Sequence, residues 1–337
     1  MKKINNRRYI GCKTKLLENI YEAVNKHGFD SSATVADIFA GTGVVGSYFI
    51  DHGYKVLFND TLYSNVVAYK AFHGKGKVRT RKLGSLIKEF NLIDPDTLEE
   101  NYFSKIYGDK YFSKNDAKKI GYIRDFIENN KEDFTAREYY YLITSLIYAC
   151  DKIANTVGHY ESYLRNGTED KGVKLEPLDI NNGIPADIYN MDANELVKKL
   201  KYDVAYIDPP YNARQYVNFY HVLENLARWN KPEEFEGNSM KFKRNELKSG
   251  YCRNNTAPAL FEDLINKIKA KLIVVSYNNT YKANSISSVN TISEQQIFEI
   301  LNKKGKVTRY EYDFGYFNAG KTHFTGHKEY LYVCEVN

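Results

Sequence analysis

The tetrapeptide Asp208-Pro209-Pro210-Tyr211 contains the residue types that suggest chemistry most directly, and it follows the apolar run 204–207. A conjugated amino group on a base is a poor nucleophile, and two acceptors on its N–H bonds would orient its nitrogen lone pair. Asp208 supplies a carboxylate, and Pro209 supplies a carbonyl with a fixed φ and no N–H of its own. Tyr211 supplies a flat face for an extruded base. This pattern predicts a site that prepares an exocyclic amine for methyl transfer.

A second motif is the glycine-rich run 41–46, which follows an apolar run, while Asp60 ends the next such run nineteen residues after Gly41. A strand, glycine turn, helix, strand and acid in this order are typical of a doubly wound α/β sheet that binds a nucleoside. The same glycines satisfy the dinucleotide fingerprint, so a nicotinamide enzyme is a competing interpretation. Asp37 argues against it, because a carboxylate at this strand end would hold an α-amino group and repel a pyrophosphate.

Alternating strands and helices are needed to position these residues. Apolar runs and alternating aromatic residues predict strands at 35–40, 55–59, 204–207, 272–275 and twice within 307–336, a pattern that includes Phe314 and Tyr316. Helical periodicity predicts helices up to about residue 51 and at 116–131, 136–153, 217–229 and 293–303. Asn278 and Asn279 follow the fourth strand, where they either line a crevice or form a turn. The sequence predicts an α/β protein with a Rossmann-like sheet.

Between residues 75 and 185 the pattern changes, and the stretch 155–185 is rich in Gly, Asn and charged residues, which is typical of loops. We therefore predict a catalytic domain formed by residues 1–74 and 186–337, interrupted by a mostly helical recognition module at 75–185. A polar, basic loop region at 232–258 is a second candidate for DNA contact.

The composition limits the class of protein. A net charge of +6 and thirty tyrosines suit phosphate contact and base stacking without proving either. No stretch approaches the ~18 apolar residues of a membrane span, and the basic N-terminus lacks an apolar signal core. The four cysteines show no zinc or disulfide spacing, and no metal spacing links His159, His221 and His323. We expect a cytoplasmic protein without metal or membrane segment.

The order of motifs resembles that of the Dam-like, alpha-group DNA adenine methyltransferases of bacteria and phages. That family has an N-terminal aromatic-x-G-x-K segment, which resembles residues 9–13, then F-x-G-x-G, a recognition insert and D-P-P-Y. The resemblance implies S-adenosylmethionine as cofactor. It implies cofactor-binding roles for Tyr9, Lys13, Asp37, Phe39, Gly41, Gly43, Asp60, Asp192 and Asp208.

The resemblance also implies a substrate, the N6 amino group of an adenine flipped out of double-stranded DNA. The run Arg214-Gln215-Tyr216 is similar to that of methyltransferases that accompany restriction endonucleases, so a cognate endonuclease is an expected functional partner in the bacterial cytoplasm or nucleoid. Phosphate contacts are expected from basic residues. The candidates are Lys75, Lys77, Arg79, Arg81, Arg214, Lys243 and Arg244.

Three further alternatives remain open. Cytosine N4 methylation needs the same amine geometry, although those enzymes more often carry Ser at the position of Asp208. RNA could replace DNA as the substrate. A non-catalytic DNA-binding module is a third alternative, against which the intact Asp208 and Tyr211 argue.

Overall fold

The computed structural model describes residues 1–180, 183–280, 289–313 and 327–337, and the chain divides into two compact units. The first unit consists of Met1–Cys12, Leu62–Pro185 and Val217–Glu246. The second unit consists of Lys13–Thr61, Ala186–Tyr216 and Leu247–Asn337. Among the described residues, no helix has the length and apolar character that crossing a membrane requires.

Helices and strands are numbered along the chain. The helices are α1 (Leu17–Lys26), α2 (Val44–Asp51), α3 (Tyr63–His73), α4 (Thr80–Leu92), α5 (Tyr102–Tyr107), α6 (Lys114–Asn129), α7 (Ala136–Ile153), α8 (Ala193–Lys199), α9 (Tyr216–Arg228), α10 (Ala257–Lys267) and α11 (Glu294–Asn302). The strands are β1 (Thr34–Asp37), β2 (Lys55–Asn59), β3 (Asp187–Tyr189), β4 (Val204–Ile207), β5 (Phe235–Glu236), β6 (Lys241–Phe242), β7 (Leu272–Asn278), β8 (Gly305–Asp313) and β9 (Lys328–Val336).

A seven-stranded sheet in the order β3-β2-β1-β4-β7-β9-β8 lies in the second unit. The first five strands in this order are parallel, whereas β9 is antiparallel to both β7 and β8. Strand β4 is buried along its whole length, as expected for a parallel strand covered on both faces. The chain order reverses between β1 and β4. Ligands bind beyond the carboxyl ends of the strands at such a switch point.

The first unit is mainly helical, and α7 is its most buried long helix. The side chain of Thr135 accepts from the backbone N–H of Glu138, whose side chain accepts from the backbone N–H of Thr135, so a capping box starts the helix. Arg137 donates from Nε to the carbonyl of Ala71 at 3.0 Å and from Nη2 to that of Phe72 at 2.6 Å. These bonds satisfy carbonyls at the end of α3, which otherwise lack partners.

The Rossmann-like α/β fold predicted from the sequence is confirmed by the order and direction of the strands. The predictions for 55–59, 204–207 and 136–153 match β2, β4 and α7 residue for residue. Helices α1, α3, α4, α5, α8 and α10 and strand β3 were not predicted. The placement of Asn278 after its strand is wrong, because this residue pairs with Glu329 and belongs to β7.

The two strands predicted near the end of the sequence are β8 and β9, while Phe314, Tyr316 and the connecting loop lie outside the described residues. The first compact unit contains all of the predicted insert 75–185. It also contains residues 1–12, 62–74 and 217–246, because α3 packs against α7 and the 217–246 stretch bonds to the same helices. The assignment of this unit to DNA recognition remains a prediction.

Candidate active site

Asp208, directly after β4, is the centre of a charged cluster in the second unit. Its Oδ1 accepts a hydrogen bond from the hydroxyl of Tyr211 at 2.5 Å, and its Oδ2 lies 3.1 Å from Nζ of Lys13. The same ammonium lies 4.8 Å from the centroid of the Tyr211 ring, within cation–π distance. The structure therefore brings together three residues that the sequence analysis took from two separate motifs.

Glu329 on β9 is a fourth member of this cluster, and sequence reasoning missed it. Its Oε2 lies 3.9 Å from Nζ of Lys13 and 3.4 Å from the hydroxyl oxygen of Tyr211, and the residue is only 4% exposed. In the sequence, Glu329 directly precedes the apolar run Tyr330 to Cys334, and this position beside a buried strand is the signal that could have found it.

Burial and the neighbouring donor groups act on the pKa of Asp208 in opposite directions. Burial raises the pKa of the Asp208 carboxyl above its usual range, and the nearby carboxylate of Glu329 adds to this rise. The ammonium of Lys13 and the hydroxyl of Tyr211 act in the opposite direction. The pairing with Lys13 and the hydrogen bond from Tyr211 are thus what hold a negative charge in this place.

Tyr211 is fixed through its backbone as well as through its hydroxyl. Its carbonyl accepts from the backbone N–H of Thr291 at 2.7 Å and from the hydroxyl of Tyr277 at 3.3 Å. Its ring lies 4.5 Å from that of Tyr277, centroid to centroid, at an interplanar angle of 46°. Pro209, between Asp208 and Tyr211 in the motif, is buried.

Asp37 ends β1, the strand that lies beside β4 in the sheet. It is 1% exposed, its Oδ2 accepts from the backbone N–H of Gly46 at 3.1 Å, and its Oδ1 has no hydrogen-bond partner among the described residues. Burial raises the pKa of the Asp37 carboxyl to about 8, with smaller contributions from Asp208 and Asp60. A buried carboxylate with an unused oxygen is a suitable acceptor for a cationic ligand group.

The glycine-rich turn between β1 and α2 has the backbone geometry that its sequence predicts. Gly41 and Gly43 have φ angles of 54° and 78°, which residues with a side chain rarely adopt. A Cβ on Gly46 would lie 2.3 Å from the ring of Phe58, so this position also needs glycine. Asp60 accepts from the backbone N–H of Gly41 at 2.8 Å, which ties the turn to the end of β2.

Two asparagines position the acids that follow β2 and β3. Asn59 donates from Nδ2 to the carbonyls of Ile38 and Met191 and accepts from the N–H of Met191, each at 3.1 Å. Asn190 donates to the carbonyl of Asp60 at 2.7 Å. Sequence reasoning missed both asparagines, because an amide that bonds only to backbone leaves no motif.

The remaining predicted cofactor residues of this unit lie around the turn. Asp192 is exposed and caps α8 by accepting from the backbone N–H groups of Asn194 and Glu195 at 2.9 and 3.2 Å. The ring of Phe39 lies 5.1 Å from that of Tyr251, edge to face. Their roles toward a cofactor remain predictions.

Tyr9 belongs to the first unit. Its ring stacks on that of Tyr220 at 4.6 Å, and Asn65 donates to its hydroxyl at 3.2 Å. Its predicted role toward a cofactor rests on the sequence resemblance alone.

The predicted DNA-contacting residues differ in exposure. The side chains of Lys75, Lys77, Arg81, Arg214 and Lys243 are exposed. That of Arg79 is 53% exposed, but its guanidinium is paired with Glu138.

Arg244 is a correction to the predicted phosphate contacts. It is only 6% exposed and donates to Asn218, Glu236 and the carbonyl of Phe242 at 2.8, 2.9 and 3.0 Å. Its guanidinium therefore stabilises the β5–β6 hairpin instead of facing solvent.

The chain matches a known enzyme family along most of its length. The family described as D12 class N6 adenine-specific DNA methyltransferase matches residues 9–306, and the chain belongs to it. Membership and the fold imply a cofactor of the S-adenosylmethionine type, as methyltransferases use in general.

Individual relatives include enzymes of different length. Modification methylase StsI of Streptococcus sanguinis is 37% identical over 88% of this chain and 46% of its own length. Type II methyltransferase M.FokI of Planomicrobium okeanokoites is 34% identical over 88% of this chain and 47% of its own. Type II methyltransferase M.NlaIII of Neisseria lactamica is 32% identical over 97% of this chain and 98% of its own. The chain thus spans about half of the first two and nearly all of the third.

Proposed function

We propose that this protein transfers a methyl group to the N6 amino group of an adenine flipped out of duplex DNA. The observation that carries the proposal is the position of Asp208, at the switch point of the sheet with Lys13 and Tyr211 on its two oxygens. Family membership supports the choice of adenine, and the presence of Asp at this position agrees with it.

Asp208 would accept one N–H bond of the amine, and the carbonyl of Pro209 would accept the other. The two bonds draw electron density onto the nitrogen and direct its lone pair, which is preorganisation of the kind that dominates many enzymatic rates. The ring of Tyr211 would hold the face of the flipped base. N6 gives up a proton after transfer without a dedicated base, because the methylated ammonium is strongly acidic.

The residues of the second unit fit S-adenosylmethionine as cofactor. Its chemistry is to supply an activated methyl group when bound. Asp37 would hold its α-ammonium group through the unpartnered Oδ1, and Asp60 would bind the ribose hydroxyls. Asp192 would lie near the adenine ring. The positive φ angles of Gly41 and Gly43 allow the backbone to approach the cofactor closely.

DNA binding is assigned to the first unit and its exposed basic residues, in particular Lys75, Lys77 and Arg81. These residues would position the duplex through its phosphates without reading its sequence. The relatives are named modification methylases and type II methyltransferases, so a cognate restriction endonuclease in the same bacterial cytoplasm is the functional partner we propose.

The test is methylation of duplex DNA with tritiated S-adenosylmethionine, followed by digestion to nucleosides and mass spectrometry. We expect N6-methyl-2′-deoxyadenosine from the wild type. Asp208→Asn should lower kcat roughly 10²- to 10³-fold, since an amide oxygen is a weaker acceptor than a carboxylate. Asp51→Asn, on an exposed residue at the end of α2, is the matched control. Cytosine as the modified base, or full activity of Asp208→Asn, would contradict the proposal, as would methylation of RNA in preference to DNA.

A further inference from the structure

We propose that Glu329 is a positioning residue that takes over the hydroxyl of Tyr211 and the ammonium of Lys13 when Asp208 binds the substrate amine. The inference rests on the proposed function and adds to it a residue that no sequence motif assigns. It starts from a conflict at Asp208, whose two oxygens are both engaged in the structure.

The conflict concerns the acceptor strength of Asp208. Its Oδ1 accepts from Tyr211 at 2.5 Å and its Oδ2 pairs with Lys13 at 3.1 Å. An oxygen that is already held by a hydroxyl or an ammonium has less electron density for a further N–H donor. Asp208 would hold the amine more firmly if one of these partners moved to another acceptor.

Glu329 is the acceptor within reach of both partners. Its Oε2 is 3.4 Å from the Tyr211 hydroxyl and 3.9 Å from Nζ of Lys13, against 2.5 and 3.1 Å for the Asp208 contacts. A shift of about 1 Å in either donor would therefore exchange one carboxylate for the other, a movement that side-chain rotation alone supplies.

The position of Glu329 in the fold suits this role. It lies near the end of the hydrogen-bonded ladder, paired with Asn278 of β7 on one side and with Tyr312 of β8 on the other. Its second oxygen, Oε1, lies 3.8 Å from Nε2 of His327, so that Oε2 is the oxygen facing the cluster. A carboxylate held on a paired strand offers a fixed target for the moving donors.

The exchange would assist the reaction as charge develops. N6 would become positively charged as its bond to the methyl carbon forms and the bond from that carbon to the sulfonium sulfur of the methyl donor breaks, with the bonding electrons left on sulfur. It would return to neutral when a proton leaves for solvent. An Asp208 carboxylate that no longer shares its charge with Lys13 stabilises this positive nitrogen, and fixed electrostatic groups of this kind act on kcat. Glu329 would then keep Lys13 neutralised at the same time.

The test compares Glu329→Gln with Tyr211→Phe and with the double variant in single-turnover methylation of duplex DNA. Glu329→Gln should lower kcat roughly 10- to 100-fold, the effect of one hydrogen bond to a charged group. The KM for DNA and the Kd for S-adenosylmethionine should change less than about threefold, since the proposed role of Glu329 acts through Tyr211 and Lys13 and involves no contact with either ligand. Tyr211→Phe removes the hydroxyl that Glu329 receives, so the two losses should not add.

Two further variants make the result interpretable. Glu335→Gln changes an exposed carboxylate on the same strand and should leave kcat unchanged. Glu329→Asp retains the charge and should recover part of the rate, and it serves in the same cycle with Tyr211→Phe if the glutamine variant does not fold. The thermal midpoint of each variant separates loss of folded protein from loss of rate.

Several outcomes would overturn the inference. These are a Glu329→Gln enzyme with unchanged kcat, a change confined to KM, or strict additivity with Tyr211→Phe. Methylation of cytosine by the wild type would overturn the choice of adenine and leave the role of Glu329 standing. A wild type that methylates no base would overturn both proposals.

Discussion

Buried carboxylates in the two units have opposite surroundings. Glu224 in the first unit is 0% exposed and accepts from the backbone N–H groups of Tyr63 and Ser64, each at 2.9 Å, and from Arg228 at 2.6 Å. Asp37 in the second unit is 1% exposed and, among the residues that the structure describes, accepts a single hydrogen bond, from the backbone N–H of Gly46. The fold supplies hydrogen-bond donors to both oxygens of Glu224, whereas one oxygen of Asp37 can still accept a hydrogen bond from a ligand.

The pKa shifts of the buried acids differ between the two units in the same way. Hydrogen bonds from Arg79 lower the pKa of Glu138 to about 2. Burial raises the pKa of Asp37 to about 8, and that of Asp208 rises for the same main reason. Buried acids that the fold stabilises as anions contribute to the stability of the protein. Buried acids whose charged form the fold destabilises can instead be stabilised by a bound ligand of opposite charge.

Among the variants that test this difference between the two units, Asp37→Asn should have the largest effect. Loss of the carboxylate should weaken S-adenosylmethionine binding roughly 10- to 100-fold, the effect of one charge-assisted hydrogen bond. In the wild type the carboxyl is protonated below about pH 8, so binding of a cationic group at pH 7 should release a proton. Affinity should rise with pH up to about 8 and fall at higher pH, where the α-ammonium group of the ligand loses its proton. Calorimetric titration in buffers of different ionisation heat measures both quantities.

The Asp37→Asn variant should also change how the free energy of unfolding depends on pH. The pKa of Asp37 in the folded state is raised to about 8 from an ordinary value of 3.8, so the protonated form is the one that the fold favours. Its contribution to the free energy of unfolding is fully present below pH 3.8 and is lost as the pH rises through 8. Asp37→Asn should therefore lose less stability than the wild type over this range, whereas Asp51→Asn should follow the wild type. If the free energy of unfolding depended on pH equally in Asp37→Asn and in the wild type, the difference between the buried acids of the two units would be contradicted.

An intermediate effect is expected from Glu224→Gln in the first unit. The variant should lower the free energy of unfolding by about 1–3 kcal/mol, because its amide NH₂ would face a buried backbone N–H that then has no acceptor. The kcat of the folded fraction should stay within about twofold of the wild type. Urea unfolding followed by fluorescence gives the first quantity, and Glu234→Gln, a nearby exposed residue, is the control. A loss of kcat without loss of stability would place Glu224 among the functional acids.

The smallest effect is expected from Lys75→Gln and Lys77→Gln, which remove exposed charges of the first unit. Each should reduce the slope of log Kd for DNA against log salt by about 1 if the lysine contacts a phosphate. The kcat at saturating DNA should be unchanged. Lys55→Gln, an exposed lysine of the second unit, should leave the salt slope as it is. An unchanged slope for both variants would contradict the proposal that the first unit contacts DNA.

Sequence reasoning recovered the parts of this protein that depend on local order. Strand β4 with Asp208, and the glycine turn with Asp37, are contiguous motifs whose periodicity and residue types identify them. Of the helices of the first unit, α6, α7 and α9 were recovered, whereas α3, α4 and α5 were not. Short helices such as α5 depend on packing against neighbours more than on their own pattern.

Residues whose role depends on distant partners could not be found in this way. Glu329 reaches the site because β9 runs antiparallel beside β7, a pairing that no local pattern specifies. Asn59 acts only through backbone carbonyls of other segments. Arg244 was assigned to DNA because a basic run looks the same whether its charges face solvent or a buried partner such as Glu236.

The pairing of β9 between β7 and β8 has a consequence for synthesis of the polypeptide. Almost the whole chain separates Lys13 from Glu329, so a ribosome has produced Asp37 and Asp208 long before it reaches the last acid. Until then β7 is an unprotected sheet edge, which invites pairing with other chains. We therefore expect a chain truncated before β9 to be both inactive and prone to aggregation, so that methylation begins only after β9 has been synthesised.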